Sequence, residues 1–384
     1  MTTKLFLLFC FPLFACLFLP CKCLNNNNTN SHNNCSRSSS GGGNGIKGMF
    51  VFGSSLVDNG NNNHLQSKAK ADYLPYGVDF PNGPSGRFTN GKNLIDLLGD
   101  HLHLPCFIPP FADPLTRGKA IIHGVNFASG GSGILDDTGS TVGSVYSLND
   151  QIKNFEQTTL PELEAQMGSR SSDLLSKYLF VVGVGGNDYT FNYFKPSLNL
   201  TIVLGERFAN HLANSLAHHL KKLYSLGGRK FVLMSVYPIG CTPMAKSFRP
   251  LNKGCIHNLN RAVLLFNDRT KKMVDAIKEE MPGSTLVYVN QYKIIWDILV
   301  NPAAYGFKNA RTACCDVGSI VAGGNGVSCR RDKVWACRNR SSHVYFDGLH
   351  PTEAANIIIA NKTFNSPLQD EVYPINVSQL AKVM

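Results

Sequence analysis

Three residues from opposite ends of the chain have the types that acyl transfer requires: Ser55, Asp347 and His350. A serine hydroxyl is a poor nucleophile at its free pKa and needs a base within hydrogen-bond reach. An imidazole serves as that base when a carboxylate fixes its tautomer and stabilises the imidazolium that forms. Asp347 and His350 are close enough in Phe346-Asp-Gly-Leu-His-Pro351 to pair on one turn. The tetrahedral intermediate also needs N–H donors aimed at its oxyanion. Glycines in the run Asn126-Phe-Ala-Ser-Gly-Gly-Ser-Gly133 let a backbone N–H approach a substrate, Gly130 and Gly131 foremost. Asn187, in Val184-Gly-Gly-Asn-Asp-Tyr189, adds a side-chain amide. Chemistry of this kind needs no metal or organic cofactor. Each motif alone is weak, since a Gly-rich loop is usually a tight turn and Asp-x-x-His is usually the start of a surface helix.

These residues gain meaning from the elements that must carry them. Gly48 to Gly53, Ala120 to Phe127, Tyr178 to Val184, Lys230 to Val236 and Thr285 to Asn290 are short Val/Ile/Phe-rich runs bounded by turn residues. They read as buried strands. Helical periodicity lies between them: Phe208, Leu212, Leu216, Leu220 and Leu223 before Gly227-Gly228, then Leu259, Val263, Phe266, Met273 and Ile277 before Pro282-Gly283. A last helix is predicted from Glu353 to Ala360, just after His350-Pro351. Continuous apolar strands alternating with amphipathic helices predict an α/β fold, a three-layer α/β/α sandwich around a parallel sheet. In such sheets ligands bind beyond the carboxyl ends of the strands. The first three candidate blocks lie at or near such strand ends, and the fourth lies just ahead of a helix.

Taken together, and in this order, the blocks resemble those of the plant-type GDSL esterases/lipases of the SGNH-hydrolase superfamily. The resemblance runs from about Gly48 to the C-terminus. It includes Phe52-Gly-Ser-Ser-Leu-Val-Asp-Asn-Gly-Asn-Asn-Asn63 and Pro84-Ser-Gly-Arg-Phe-Thr-Asn-Gly91, besides the three blocks already named. It implies a flavodoxin-like fold and ester hydrolysis through an acyl-enzyme, with Ser55 as nucleophile, His350 as base and Asp347 as acid. It also implies an oxyanion hole formed by the N–H groups of Ser55 and Gly131 and the amide of Asn187, with Gly130 as the competing register. One position departs from the family pattern: Ser54 stands where the family has Asp. That Asp is not the triad acid, so nucleophile and base both survive. Two other readings share these residues: an acyltransferase with the same triad, separated by product analysis with an added alcohol, and a non-catalytic extracellular wall or carbohydrate-binding protein on the hydrolase fold. The intact triad counts against the latter.

The N-terminus carries Lys4, an apolar stretch from Leu5 to Leu19, Pro20 and then small residues. This is the pattern of a secretory signal peptide, residues 1–23, too short for a spanning helix. Residues 24–46 form an Asn-, Ser- and Gly-rich leader unable to bury enough surface to fold, and the catalytic domain is expected over 47–384. Of 12 cysteines, the eight beyond the signal are Cys35, Cys106, Cys241, Cys255, Cys314, Cys315, Cys329 and Cys337. An even set in an oxidising compartment predicts disulfides, with Cys241–Cys255 a local pair and the last four pairing among themselves. Adjacent Cys314-Cys315 and the absence of short-spaced Cys/His knuckles argue against zinc. Sequons at Asn27, Asn34, Asn199, Asn339, Asn361 and Asn376 predict surface glycosylation. The expected location is therefore secreted, extracellular, including the cell wall.

The chain has 384 residues and a net charge of +11, or +9 without Lys4 and Lys22 of the signal (11 − 2). A basic extracellular protein attracts polyanions such as acidic polysaccharides. No basic run is interleaved with aromatics, which excludes a nucleic-acid track. The expected small-molecule partner is an ester or acyl lipid.

Overall fold

The computed structural model describes residues 45–168, 170–194, 202–248, 254–318 and 326–383, all within the compact unit Asn33–Met384. The signal peptide, nearly all of the leader, Cys35 and the sequons at Asn27, Asn34 and Asn199 lie outside the described residues. Ile46 is part of the core.

The sheet is built from the apolar runs. Strands β1 (Gly48–Gly53), β2 (Tyr178–Gly183), β3 (Lys230–Met234) and β4 (Thr285–Val289) lie side by side in that order and pair in parallel. The register runs from Gly48 opposite Tyr178 to Gly53 opposite Gly183, which ends β1 and β2 at the same level. Both faces are covered, so every residue of β1 and β3 is buried and no in–out alternation is seen. A separate two-stranded ladder forms from β5 (Asn309–Ala313) and β6 (His343–Tyr345). The main sheet closes with β7 (Val372–Tyr373), antiparallel to β4.

The helices, in chain order, are α1 (Leu94–His101), α2 (Leu148–Asn154), α3 (Leu160–Met167), α4 (Ser171–Leu175), α5 (Ile202–Ser225), α6 (Pro243–Ser247), α7 (His257–Ala276), α8 (Gln291–Val300), α9 (Glu353–Asn365) and α10 (Val377–Leu380). On one face of the sheet α5 packs on α7 and α2, with α2 touching β1 and α7 touching β4. On the other, α9 joins α1, α8 and α10, with α1 against β1 and α10 against β4. This is the expected three-layer α/β/α sandwich. Its centre is a cluster of rings from Phe50, Phe52, Phe127, Phe155 and Phe180.

The expected strand Ala120–Phe127 is corrected by the structure. Its first residues belong to a 3-10 turn, Gly118–Ile121. Only the stretch from His123 onward runs along the outer edge of β1, through Met49 N–H to His123 O (3.1 Å), Val51 N–H to Val125 O (3.1 Å) and Phe127 N–H to Val51 O (2.8 Å). A Cβ on Gly48 would sit 2.1 Å from His123 O, and one on Gly124 would sit 1.9 Å from Met49 O. Two glycines thus permit a backbone approach that side chains would prevent.

Among the described residues three disulfides join Cys241–Cys255, Cys314–Cys337 and Cys315–Cys329. Cys106 is disulfide-bonded as well. The sulfurs of Cys314 and Cys337, beside His343, are therefore bridged to each other rather than available as thiolates. Among the described residues no helix is long and apolar enough to cross a membrane.

Candidate active site

Ser55 follows β1 directly. The chain turns there because Ser54 N–H donates to Gly183 O (3.1 Å) and Val57 N–H donates to Ser54 O (3.0 Å). The buried Ser54 side chain makes no hydrogen bond among the described residues, so its backbone rather than its hydroxyl holds the turn. The preceding residue is clamped by Gln151 of α2, wholly buried, whose Oε1 accepts from Gly53 N (2.7 Å) and whose Nε2 donates to Gly53 O (2.9 Å).

Asp347 and His350 lie on the loop between β6 and α9. Asp347 Oδ1 accepts from the N–H groups of Leu349 (2.8 Å) and His350 (2.7 Å), forming the turn that brings the imidazole onto its own carboxylate. His350 Nδ1 is 2.7 Å from Asp347 Oδ2 and 2.9 Å from Oδ1. A carboxylate only accepts, so the Nδ1 position carries hydrogen and Nε2 presents its lone pair. That atom is 2.7 Å from Ser55 Oγ, 295 residues away in sequence. Asp347 is fully buried and His350 nearly so (4% exposed), while Ser55 is half-buried beside a cavity.

Asn187 follows β2 and opens a π-helical turn, Asp188–Tyr193. Its Nδ2 donates to Ser132 O (2.9 Å), leaving the second amide hydrogen for another acceptor. Asn187, Ser55 and His350 line one cavity together with Ser54, Leu56 and Val57, the ends of β2 and β3, Gln291 and Leu349. Gly130 N–H donates to Asp58 Oδ2 (2.9 Å), whereas neither Gly131 N–H nor Ser55 N–H has an acceptor among the described residues. Gly131 is not among the cavity-lining residues and meets the site through its neighbour Ser132.

Sequence reasoning missed the groups that hold these loops. Asp58, three residues after Ser55, is buried and accepts from Gly60 N (2.7 Å), Asn61 N (2.9 Å) and Gly130 N. Asp188, next to Asn187, accepts from Ile134 N (2.9 Å), Leu135 N (3.0 Å) and Thr138 Oγ1 (2.8 Å). Burial pushes both carboxyls up to about 6 against the opposing pull of these donors. Tyr76 donates to Asp347 Oδ2 (2.6 Å) and accepts from Cys329 N (3.0 Å). Burial, then the Asp347 charge, hold its hydroxyl far above the usual tyrosine range, so it remains a donor. For Asp58 and Asp188, positions inside the quoted motifs were the available signal. The Pro84–Gly91 block also finds its use here. Phe88 lies with its ring 4.9 Å from that of His350, and Thr89 Oγ1 donates to Pro351 O (2.9 Å). Arg87 is fixed on Asp96 by two bonds of 2.7 and 2.8 Å.

Of the sequons in the described residues, Asn339 and Asn361 are exposed. Asn376 is buried instead: it is 8% exposed, its Oδ1 caps α10 by accepting from Gln379 N, and its Nδ2 donates to Ser366 O (3.1 Å). A glycan on that nitrogen would crowd the buried bond to Ser366 O.

A serine hydroxyl, an imidazole oriented by a buried carboxylate and a side-chain amide at one cavity form an arrangement suited to attack on a carbonyl. Residues 49–363 match the family described as GDSL-like Lipase/Acylhydrolase. The chain belongs to this family. Its relatives in Arabidopsis thaliana include GDSL esterase/lipase At1g71250, 43% identical over 340 residues (87% of this chain, 89% of the relative). GDSL esterase/lipase At5g08460 is 43% identical over 343 residues (87% of each chain), and GDSL esterase/lipase 7 is 39% identical over 341 residues (87% and 92%). The family assignment agrees with the α/β/α fold described above.

Proposed function

We propose that this GDSL-family protein is a secreted carboxylic ester hydrolase that works through an acyl-enzyme on Ser55. The observation that carries the reading is the continuous contact Ser55 Oγ–His350 Nε2–Asp347 at 2.7 Å per step. His350 takes the Ser55 proton as the oxygen attacks the ester carbonyl, and Asp347 stabilises the imidazolium that results. The oxyanion is received by the Ser55 and Gly131 N–H groups and the free hydrogen of Asn187. His350 then protonates the departing alcohol, and water activated by the same imidazole releases the acid. Every step uses groups of this chain, with the proton returning to its starting place.

Secretion rests on the signal-like N-terminus, the disulfides and the exposed sequons at Asn339 and Asn361. The test is hydrolysis of nitrophenyl esters by the glycosylated protein beside Ser55→Ala and His350→Ala. Loss of at least a thousandfold in kcat is expected for both, since either deletion breaks the unit. Equal rates in all three proteins would remove the hydrolase reading. Addition of an alcohol acceptor distinguishes transfer from hydrolysis by product.

A further inference from the structure

A second cavity, of about 370 Å³, shares no lining residue with the one at Ser55 and is bounded by Lys246, Lys308, Arg311, Trp296, Leu299, Val300 and Pro302, beside the Cys241–Cys255 bridge. Its volume is in the range of small-ligand sites. Three cations surround it, and none takes part in an ion pair among the described residues. Nor do the remaining residues supply a partner side chain, because none of them is Asp or Glu. Lys246 is half-buried, and burial together with the Arg311 charge draws its ammonium below the usual lysine range. Like charges crowded without a counter-ion destabilise the folded chain, and an anion seated between them relieves the repulsion.

The rest of the wall narrows the anion's identity. The Trp296 indole, stacked on Tyr292 at 6.2 Å, stands with Leu299, Val300 and Pro302 as an apolar surface beside the cations. A free phosphate would leave that surface unused. Single-stranded nucleic acid binds along basic tracks with successive aromatic platforms, whereas this is one pocket with one ring pair. A sugar ring bearing a carboxylate fits both halves, its C–H face on the indole and its carboxylate on the lysines and arginine.

We propose that this cavity is a binding site for a uronate unit of an acidic polysaccharide, separate from the hydrolytic site. It holds the enzyme on a polyanionic matrix while the hydrolytic site remains free to turn over esters.

The experiment is affinity electrophoresis of the purified protein in gels containing polygalacturonate, its methyl-esterified neutral form or polyphosphate. Lys246→Ala/Arg311→Ala, Trp296→Ala and Lys119→Ala/Lys382→Ala are run in parallel. The last removes two exposed charges outside the cavity, matching the change in net charge. The expected result is retardation by polygalacturonate alone, weakened at least tenfold by the first double variant and about fivefold by Trp296→Ala, with the control double variant close to wild type. Nitrophenyl ester hydrolysis stays unchanged in all of them, which keeps this test independent of the hydrolase reading. No retardation of wild type, equal losses in the two double variants, or equal binding of the neutral polymer overturns the proposal. Polyphosphate binding of equal strength and the same dependence on Lys246 and Arg311 overturns the sugar assignment.

Discussion

The Tyr76 hydroxyl lies 2.6 Å from Asp347 Oδ2 while accepting from Cys329 N–H at 3.0 Å, and both side chains are fully buried. Asp347 faces His350 with the same oxygen. The phenol thus fixes the carboxylate oxygen that also faces the imidazole, and the Cys315–Cys329 disulfide anchors the residue that supports the phenol. Tyr76→Phe keeps the ring and deletes this bond. A hydrogen bond to a charged group is worth about 1.5–3 kcal/mol, so kcat is expected to fall roughly 10- to 100-fold with KM nearly constant. Because Tyr76 touches no substrate, the discriminating readout is the pH–rate profile, whose acidic limb should move. A variant with lowered KM-dependent affinity and an unmoved profile would show packing alone.

Asp58 provides a stability prediction. Its folded pKa of about 6 exceeds the ordinary 3.8, so between these values the folded state binds more protons than the unfolded one. Stability from this group is then fully present below the unfolded pKa and is lost as pH rises through about 6. The side chain of Asp58→Asn does not titrate. The stability advantage of wild type over this variant should widen as pH falls from 7 to 4, by up to about 3 kcal/mol. Denaturant melts at several pH values measure it. A gap that narrows on acidification would mean that the three N–H donors outweigh burial.

The sheet was legible because a doubly covered strand must be apolar throughout, and the runs at β1 to β4 have no other use. Ala120–Phe127 has the same composition but bonds to β1 only from His123 onward, and its Gly124 serves close approach. The motif residues Ser55, Asn187, Asp347 and His350 were legible from local types in a fixed order. Tyr76 and Gln151 were not, because each acts on a partner far along the chain: Tyr76 on Asp347 across 271 residues and Gln151 on Gly53 across 98. Nothing periodic in their neighbourhoods marks such contacts. Burial of Asn376 was equally hidden, since a sequon specifies three residues and not their environment.

That last difference is measurable. Asn339 and Asn361 are exposed, whereas the Asn376 amide is engaged in a helix cap and a bond to Ser366. Glycopeptide mapping of protein expressed through a eukaryotic secretory route should find glycans at the first two and an unmodified Asn376. Asn376→Gln should lower thermal stability, by about 1 kcal/mol for the lost cap, without changing the glycan count. A glycan at Asn376 in active protein would require a different arrangement of the C-terminal segment.

The cavity at Ser55 bears on which esters turn over. It measures about 30 Å³, and one water needs roughly 10–15 Å³ by this measure, so two or three non-hydrogen atoms fit behind the reacting carbon. Val236, Met234 and Gly183 form part of its wall. Acetate esters should therefore exceed octanoate esters in kcat/KM by at least tenfold. A chain that entered would instead gain about 0.8 kcal/mol, roughly fourfold, for each buried methylene. Val236→Ala removes two methyl carbons from the wall while leaving the backbone bonds to Asn267 in place. It should raise the octanoate-to-acetate ratio severalfold, with a thermal melt confirming that the variant folds. Octanoate matching acetate in wild type, through a Ser55-dependent reaction, would show that the acyl chain lies outside this cavity and leave hydrolysis itself intact.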